Sequence, residues 1–479
     1  MPTTIRTASI ALAALLLLTI TGPAQTRQAP PNILFVIADD WSYPHAGAYG
    51  DRTVATPAFD RIAREGVLFR RAFTAAPSCT PSRAAILTGR PPHQLAEGGN
   101  LWSFLPSRFD VFPDLLEKAG YTVGHTGKGW GPGQFEAGGR TRNPAGPRFA
   151  SFQDFLAKRR DGQPFYFWYG STDPHRPYDA ASGAKAGLRP ESVTVPGLLP
   201  DTPEVRNDIL DYYLEVQRFD SQLAALLDEL ERRKELDNTL VVVTSDNGMP
   251  FPRAKANLYD AGTHMPLAIR WPKGAKPGLA ADTFVNLIDL APTFLEAAGI
   301  AVPSDLTGRS LLPILAGKME AAARDRTFSE RERHANVRRG DLSYPARAIR
   351  TSEFLYIRNY RPDRWPAGDP EQHFAVGPFG DIDGGPSKSL LLDPRGDAPV
   401  RKHFELATAK RPADELYDLR RDPEQLVNVA GEVAYAKTLE RLRAELTSWQ
   451  RATGDPRVTS DDDRWDKYPY FGAPAKDPK

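Results

Sequence analysis

The sequence predicts an α/β fold: a large, mostly parallel sheet sandwiched by helices, followed by a smaller α+β domain carrying an antiparallel sheet. Three observations carry this expectation. Residues 32–38, 164–170 and 239–244 are continuous apolar runs, the pattern of strands buried on both faces of a parallel sheet. Each run ends directly in a polar cluster, and the carboxyl ends of strands in open α/β sheets are where ligands bind. Beyond about residue 320 the runs become short and partly polar, as in an exposed antiparallel sheet. A chain of 479 residues exceeds one ordinary core. The expected division is an export segment over 1–24, a large domain over 25–325 and a smaller one over 326–479.

The N-terminal segment has Arg6, an apolar stretch over 10–20 and the small residues Thr21-Gly22-Pro23-Ala24, the layout of a cleaved secretory signal. That stretch is too short to read as a membrane span. A periplasmic or secreted protein is expected, and not a membrane-spanning one. With 61 Lys+Arg against 60 Asp+Glu the net charge is +1, so there is no general attraction to nucleic acid or to a membrane surface. Nothing in the composition fixes an oligomeric state.

Taken in order, 32–38 is a buried strand that ends in Asp39-Asp40, two acids whose mutual repulsion a cation would relieve. Residues 56–66 form a short helix closed by Gly66, and 67–73 lead toward a loop. Thr80-Pro81 reads as a helix start, with Thr80 as N-cap and Pro81 at the first helical position, and Gly89 ends that helix. This places Cys79 just ahead of a helix N-terminus, which favours an anion beside it, and Arg83 adds a positive charge one turn on. Residues 112–119 are a helix, and 121–123 a short strand leading to His125, Lys128 and Trp130 in a glycine-rich turn. The strand 164–170 runs into Asp173-Pro174-His175-Arg176. Residues 204–234 form a long amphipathic helix whose apolar stripe is core. The strand 239–244 ends in Ser245-Asp246-Asn247-Gly248, and Lys255 comes next in a loop. Residues 266–270 are a strand and 286–298 a helix. In the second domain 327–333, 346–351, 353–358 and 415–419 read as strands, and 431–452 as a helix.

Cys79 is the only cysteine of a chain that carries an export-type leader. Exported proteins use cysteines in pairs, so an unpaired one is either a buried structural thiol or a reactive or modified one. The strand ends supply the rest of a site. Asp39, Asp40, Asp246 and Asn247 offer hard oxygen ligands suited to Ca²⁺ or Mg²⁺. Arg83, Lys128, His175 and Lys255 are cations for an anionic group beside that ion. A thiol is a poor ligand for a hard ion, and an oxygen species at position 79 suits the site better.

Cys79-Thr80-Pro81-Ser82-Arg83, continuing to Leu87-Thr88-Gly89, resembles the signature of type I sulfatases, whose cysteine is oxidised to formylglycine. The Asp39-Asp40, Gly127-Lys128, Asp173-Pro174-His175-Arg176, Ser245-Asp246-Asn247-Gly248 and Leu306-Thr307-Gly308-Arg309 segments match the same family in order. Asp246-to-Pro252, Asn257-Leu258-Tyr259 and Ser343-Tyr344-Pro345 are similar to its sulfamidase branch, the N-sulfoglucosamine sulfohydrolases. The resemblance implies an alkaline phosphatase-like fold and hydrolysis of a sulfate ester or sulfamate on a sugar or glycan. It implies a formylglycine diol at position 79 held by Arg83, sulfate bound by Lys128 and Lys255, and His175 as the acid. It also implies a metal, Ca²⁺ ahead of Mg²⁺, bound by Asp39, Asp40, Asp246, Asn247 and residue 79, and a maturation enzyme as partner. Asp173, Arg176 and Trp130 are candidate substrate contacts. Two departures stand out. Trp130 occupies the place of the family's Lys-x-His histidine, leaving His125 as a substitute and Trp130 either to stack on a sugar or simply to pack. Lys255 replaces an arginine. A phosphodiester or phosphonate hydrolase of the same superfamily, and a non-catalytic glycan-binding relative, are the alternatives.

Overall fold

The computed structural model describes residues 30–318, 324–371, 377–393 and 395–472. The export segment 1–24 lies outside the described residues. Strand β1 (Asn32–Ala38) sits in the middle of an eight-stranded sheet, parallel to both β4 (Phe165–Gly170) and β5 (Thr239–Ser245). β3 (Thr122–Gly127) continues the parallel run beyond β4. On the other side β6 (His264–Arg270) is antiparallel to β5, and β2 (Val67–Phe73) is antiparallel to β6. The short β7 (Leu279–Ala281) and β8 (Val285–Asn286) run parallel to β2.

Alternation along β1 explains the two helical layers, because successive side chains point to opposite faces. Leu34, Val36 and Ala38 pack with Phe59, Ile62 and the helix Pro203–Arg232. Ile33, Phe35 and Ile37 pack against Ile86, Leu116 and Phe294, on the helices Cys79–Thr88, Phe112–Lys118 and Leu290–Ala297. Every residue of β1 is buried, so truncating Leu34 or Phe35 to Ala should cost about 2–5 kcal/mol.

A second, antiparallel sheet has the order β12 (Asp414–Asp418), β11 (Phe354–Asn359), β10 (Ala346–Thr351), β9 (Arg326–Arg331). One face, with Ile349, Tyr356 and Leu416, packs on Leu442 and Leu446 of the helix Ala436–Thr453. The other, with Ala348, Leu355, Ile357 and Tyr417, rests on Leu258 and Tyr259, just past Lys255. The sheets are stitched where Glu330 N donates to Ala75 O at 2.8 Å and Ser329 Oγ donates to Thr74 O at 2.6 Å. No helix among the described residues is long and apolar enough to cross a membrane.

Several expectations shift. Residues 67–73 form a strand and not a lead-in, with a register break between Phe69 and Ala72 that turns Arg70 outward. Asn286 caps a short 3-10 turn, Leu287–Asp289, through a capping box, and the α-helix starts only at Leu290. The last long helix begins at Ala436, well beyond Gly431. The helices Phe152–Lys158, Pro386–Leu392 and Ala398–Thr408 lie in stretches where no element was expected. The helix carrying Cys79 also starts two residues early. Cys79 is its first residue, preceded by extended Ser78, so Thr80 is not the cap. Pro81 is still accommodated, because first-turn N–H groups have no helical acceptor.

Candidate active site

Register alone brings the site together. Ala38 pairs with Ser245, Ile37 with Gly170 and Gly127 with Gly170, so four parallel strands end at one level. The backbone continues the pairing for one more step: Asp246 N donates to Ala38 O at 3.3 Å, Asp39 N to Asp173 O at 3.0 Å, and Lys128 N to Gly170 O at 2.8 Å. The helix Cys79–Thr88 delivers Cys79 and Arg83 from the neighbouring layer. Ala256 N donates to Pro77 O at 2.8 Å and ties the Lys255 loop to the Cys79 turn.

The side chains form an interlocked salt. Lys128 Nζ donates to both oxygens of Asp39, at 2.7 and 2.6 Å, and Lys255 Nζ to Asp40 Oδ2 at 2.7 Å. Arg83 donates through Nε to Asp246 Oδ2 at 2.7 Å and through Nη1 to the carbonyls of Lys128 and Gly129. The Cys79 thiol donates to Asp39 Oδ1 at 3.6 Å. His175 Nε2 lies 3.8 Å from Asp40 Oδ2, and its Nδ1 is 2.6 Å from Arg176 O, so Nδ1 is the donor and Nε2 faces the site.

Burial by itself would raise the Asp39 pKa, but Lys128 and Arg83 outweigh it and hold this carboxyl well below the usual carboxylate range. Asp246 goes the other way: burial raises it, Arg83 only partly offsets that, and Asp39 and Asp40 add repulsion. Burial also lifts the Cys79 thiol far above its ordinary value despite Lys128 and Lys255. A thiol kept protonated is inert as a nucleophile.

The donors fit a hard divalent cation. Asp39, Asp40 and Cys79 each bring a ligand atom into one cluster, and Asp40 N donates to Asp246 Oδ1 at 3.2 Å. Asn247 donates through Nδ2 to Asp40 Oδ1 at 2.7 Å, while its buried Oδ1 has no hydrogen-bond partner among the described residues. A buried amide oxygen left without a donor, on a residue bonded to Asp40, suits oxygen coordination. Asp40 holds φ at 76°, a left-handed conformation that non-glycine residues adopt at a cost, and such strain gathers at functional sites.

A cavity of about 980 Å³ opens beside the cluster, lined by Asp39, Lys128, His175, Trp102, Trp130 and Arg148 among others. Trp130 contributes to this wall but is 4 % exposed and packs in the core, with Asn143 bridging its backbone N–H and carbonyl. His125 lines the same cavity, with Nδ1 donating to Gly146 O at 2.8 Å, and burial keeps its pKa below the ordinary value. Asp173 accepts from Gln222 Nε2 at 2.7 Å. Arg176 is committed to the scaffold: both terminal nitrogens donate to Asp208, at 2.7 and 2.8 Å, and Nε donates to Pro250 O. Arg176 thus lines the cavity with its guanidinium anchored on Asp208.

Two residues at the site were not anticipated. His334 Nδ1 lies 2.8 Å from Ser78 Oγ, and burial pushes its pKa down to about 4. Asp383 Oδ2 accepts from Lys255 Nζ at 3.1 Å. Burial would raise its pKa, but Lys255, His175 and His334 hold it down to about 2. Both come from loops far along the chain. Their only sequence signals are a histidine just past the first strand of the second sheet and the acid-glycine turn Asp381-Ile382-Asp383-Gly384-Gly385.

Comparison with known proteins agrees with this geometry. A sulfatase family model matches residues 31–137 and 148–300, and one for the N-sulphoglucosamine sulphohydrolase C-terminal region matches 253–372. The chain is 34% identical to human N-sulphoglucosamine sulphohydrolase, covering 91% of this chain and 93% of that one. It is 26% identical to an N-acetylglucosamine-6-O-sulfatase of Bacteroides thetaiotaomicron, over 93% and 90%. Among solved structures, a protein in complex with its substrate D-glucosamine-2-N,6-O-disulfate superposes with a TM-score of 0.66 at 22% identity, over 90% of this chain and 100% of that one. A phosphonate monoester hydrolase from Silicibacter pomeroyi superposes with 0.65 at 19%, over 90% and 97%. These two structures share the fold.

Proposed function

The chain belongs to the sulfatase family, and on that premise we propose that it removes sulfate from the nitrogen of an N-sulfated glucosamine, outside the cytoplasm, through a formylglycine formed from Cys79. The observation that carries this reading is the 34% identity to N-sulphoglucosamine sulphohydrolase along nearly the whole chain. The export-like segment 1–24 and the unpaired Cys79 support the location.

In the structure the Cys79 thiol occupies the place of a hydrated aldehyde. One hydroxyl of that gem-diol, its proton passing to Asp39 Oδ1 and on to solvent, attacks sulfur. The S–N bond breaks, its electron pair goes to nitrogen, and protonated His175 gives up the Nε2 proton to the departing amine. Residue 79 then carries a sulfate ester and one remaining hydroxyl. Neutral His175 takes the proton of that hydroxyl, the C=O bond re-forms, the bond to the ester oxygen breaks and sulfate leaves. Water restores the diol. An ordinary serine would stop at the stable ester.

Lys128 and Lys255 stabilise sulfate oxygens, and Arg83 holds the diol. Removing such a preorganised donor costs about 10²–10³-fold in rate. Asp39, Asp40, Asp246 and Asn247, with residue 79, would hold a divalent cation, calcium by preference, which supplies positive charge against the sulfate and diol oxygens.

Mass spectrometry of the peptide containing residue 79, on an active preparation, tests the nucleophile. An unmodified thiol in fully active protein would end this reading. Rates on N-sulfoglucosamine, glucosamine 6-sulfate and a matched phosphonate monoester test the substrate, and N-sulfoglucosamine is expected to be fastest. Preference for the phosphonate would move the enzyme to the other branch of the superfamily.

A further inference from the structure

We propose that Asp383 is a specificity-determining residue of this site, a carboxylate that accepts a hydrogen bond from the amine or hydroxyl donors of the leaving sugar. The inference rests on the sulfatase reading and adds a residue to it. It starts from exposure. Of the charged side chains at the strand ends, Arg83 and Asp246 are fully buried, Asp39 is 3% and Lys255 5% exposed. Those open to an incoming molecule are Lys128 at 18%, His175 at 36%, Asp383 at 25% and the half-buried Asp173, whose carboxylate Gln222 already holds at 2.7 Å. Lys128 is a sulfate-side group and His175 faces the leaving atom. Asp383 lies in one cluster with His175 and Asp40, their ligand atoms within 4.8 Å of one another. It is therefore the open acceptor next to the departing group, where a sugar presents N–H and O–H donors.

That cluster is not a second cation site. Lys255 Nζ already bridges it, 2.7 Å from Asp40 Oδ2 and 3.1 Å from Asp383 Oδ2, and supplies the positive charge itself. The pairing also keeps Asp383 an acceptor, since an ionised carboxylate has no proton to donate.

The position of Asp383 is built from both sides. Before it, Asp381 accepts from Arg338 Nη2 at 2.6 Å and from Arg331, fixing the loop to the second sheet. After it, Gly385 lies flat on the Arg176 guanidinium, where a Cβ would come within 2.4 Å of Nη1. Ser387 Oγ then donates at 2.6 Å to Asp208, the partner of Arg176. The Asp-Pro-His-Arg segment thus does two things: His175 enters the site, and Arg176 clamps the loop that brings Asp383 to it from 128 residues beyond Lys255.

The test compares Asp383→Asn and Asp383→Glu with the unaltered enzyme on N-sulfoglucosamine and on 4-nitrophenyl sulfate, whose leaving group carries no such donors. The expected result is a fall of at least about tenfold in the ratio of kcat/KM for sugar over aryl sulfate in Asp383→Asn, partly restored in Asp383→Glu. An equal loss on both substrates, or none, overturns the proposal. Calorimetric binding of glucosamine needs no turnover. It should weaken by about tenfold in Asp383→Asn, and unaltered affinity, or no binding to the parent enzyme, also overturns it. Should the parent enzyme bind glucosamine yet hydrolyse no sulfate, the sulfatase reading fails while the role of Asp383 is still decided by binding.

Discussion

Two buried clusters of charge lie in this molecule, and they look alike until their unused atoms are compared. At the seam between the sheets, Arg347 donates to Asp455 at 2.7 Å and to Glu332 at 2.8 Å, and lies 2.9 Å from Glu330. Arg457 donates to Glu332 at 2.7 Å, and His93 Nδ1 meets Glu330 at 2.8 Å. At the strand ends, Arg83, Lys128 and Lys255 meet Asp39, Asp40, Asp246 and Asp383. In each place the carboxylates outnumber the permanent cations by one, and a histidine stands beside them. The seam spends its donors and acceptors internally: among the described residues, none of these seam side chains has an orphaned buried polar atom. Among the described residues the site keeps Arg83 Nη2 and Asn247 Oδ1 without a hydrogen-bond partner, Arg83 Nη2 only lying 3.6 Å from Asp39 Oδ1, and it has a strained Asp40 and an opening to solvent. Charge density marks both regions, and unspent bonding capacity marks the one to which the proposed chemistry is assigned.

The largest expected effect separates the two. Cys79→Ala should cut sulfatase turnover by at least about 10³-fold. It should shift the thermal midpoint by only about 2–4 °C, because one small buried group is lost. A variant with normal turnover would remove residue 79 from the chemistry. The mirror experiment is Arg347→Met. Leaving Glu330, Glu332 and Asp455 buried with one fewer cation should cost about 3–5 kcal/mol in urea unfolding, while kcat per folded molecule stays within about threefold. If activity fell and stability did not, the seam would belong to the site after all.

Chelation sharpens the contrast from the other side. Stripping divalent cations should abolish turnover and lower stability, and calcium at about 100 times its dissociation constant should restore about 2.7 kcal/mol. The same treatment of Asn247→Ala should recover less of both. The Arg347→Met variant should respond to calcium as the parent does, because the proposed calcium ligands lie at the strand ends, although His93, Glu330 and Asp455 also bring ligand atoms together at the seam. A calcium response in the parent that vanished in Arg347→Met would place the ion at the wrong cluster.

Much of the site is legible in the sequence itself. The runs over 32–38, 164–170 and 239–244 could only be strands buried on both faces, and the residues just past the end of each parallel strand are delivered to one edge of the sheet. That is why Asp39, Asp40, Lys128, His175, Asp246 and Asn247 meet as anticipated. The pairing of Arg176 was not legible because a motif gives a residue type and not its partner; the partner, Asp208, sits inside a helix that read only as an apolar stripe. Asp383 and His334 were invisible because their loops are positioned by distant contacts, Asp381 on Arg331 of the second sheet and His334 on Ser78 ahead of the Cys79 helix, and no local periodicity encodes such contacts. The start of the Cys79 helix slipped by two residues because Pro81 is tolerated throughout a first turn, so it does not fix where that turn begins.

The smallest expected effect is a pH dependence confined to the seam. Burial would lower the His93 pKa, but Glu330 and Asp455 outweigh it and, against opposition from Arg347, hold it above its ordinary 6.5. Its Nε2 faces the carbonyl of Thr453 at 3.3 Å, so the charged ring has an acceptor on both nitrogens. A histidine whose pKa is raised on folding stabilises the fold when protonated. Its contribution is complete below about pH 6.5 and is lost as pH rises through the raised folded value. Urea unfolding at about pH 5.5 and about pH 8.5 should therefore show the parent losing more stability with rising pH than His93→Gln does. Equal slopes would mean that His93 is neutral in the seam. Because the seam shares no residue with the strand-end cluster, the pH profile of kcat/KM should be the same in both proteins. A displaced profile would show that the two clusters, separate in their hydrogen bonds, are coupled through the sheet between them.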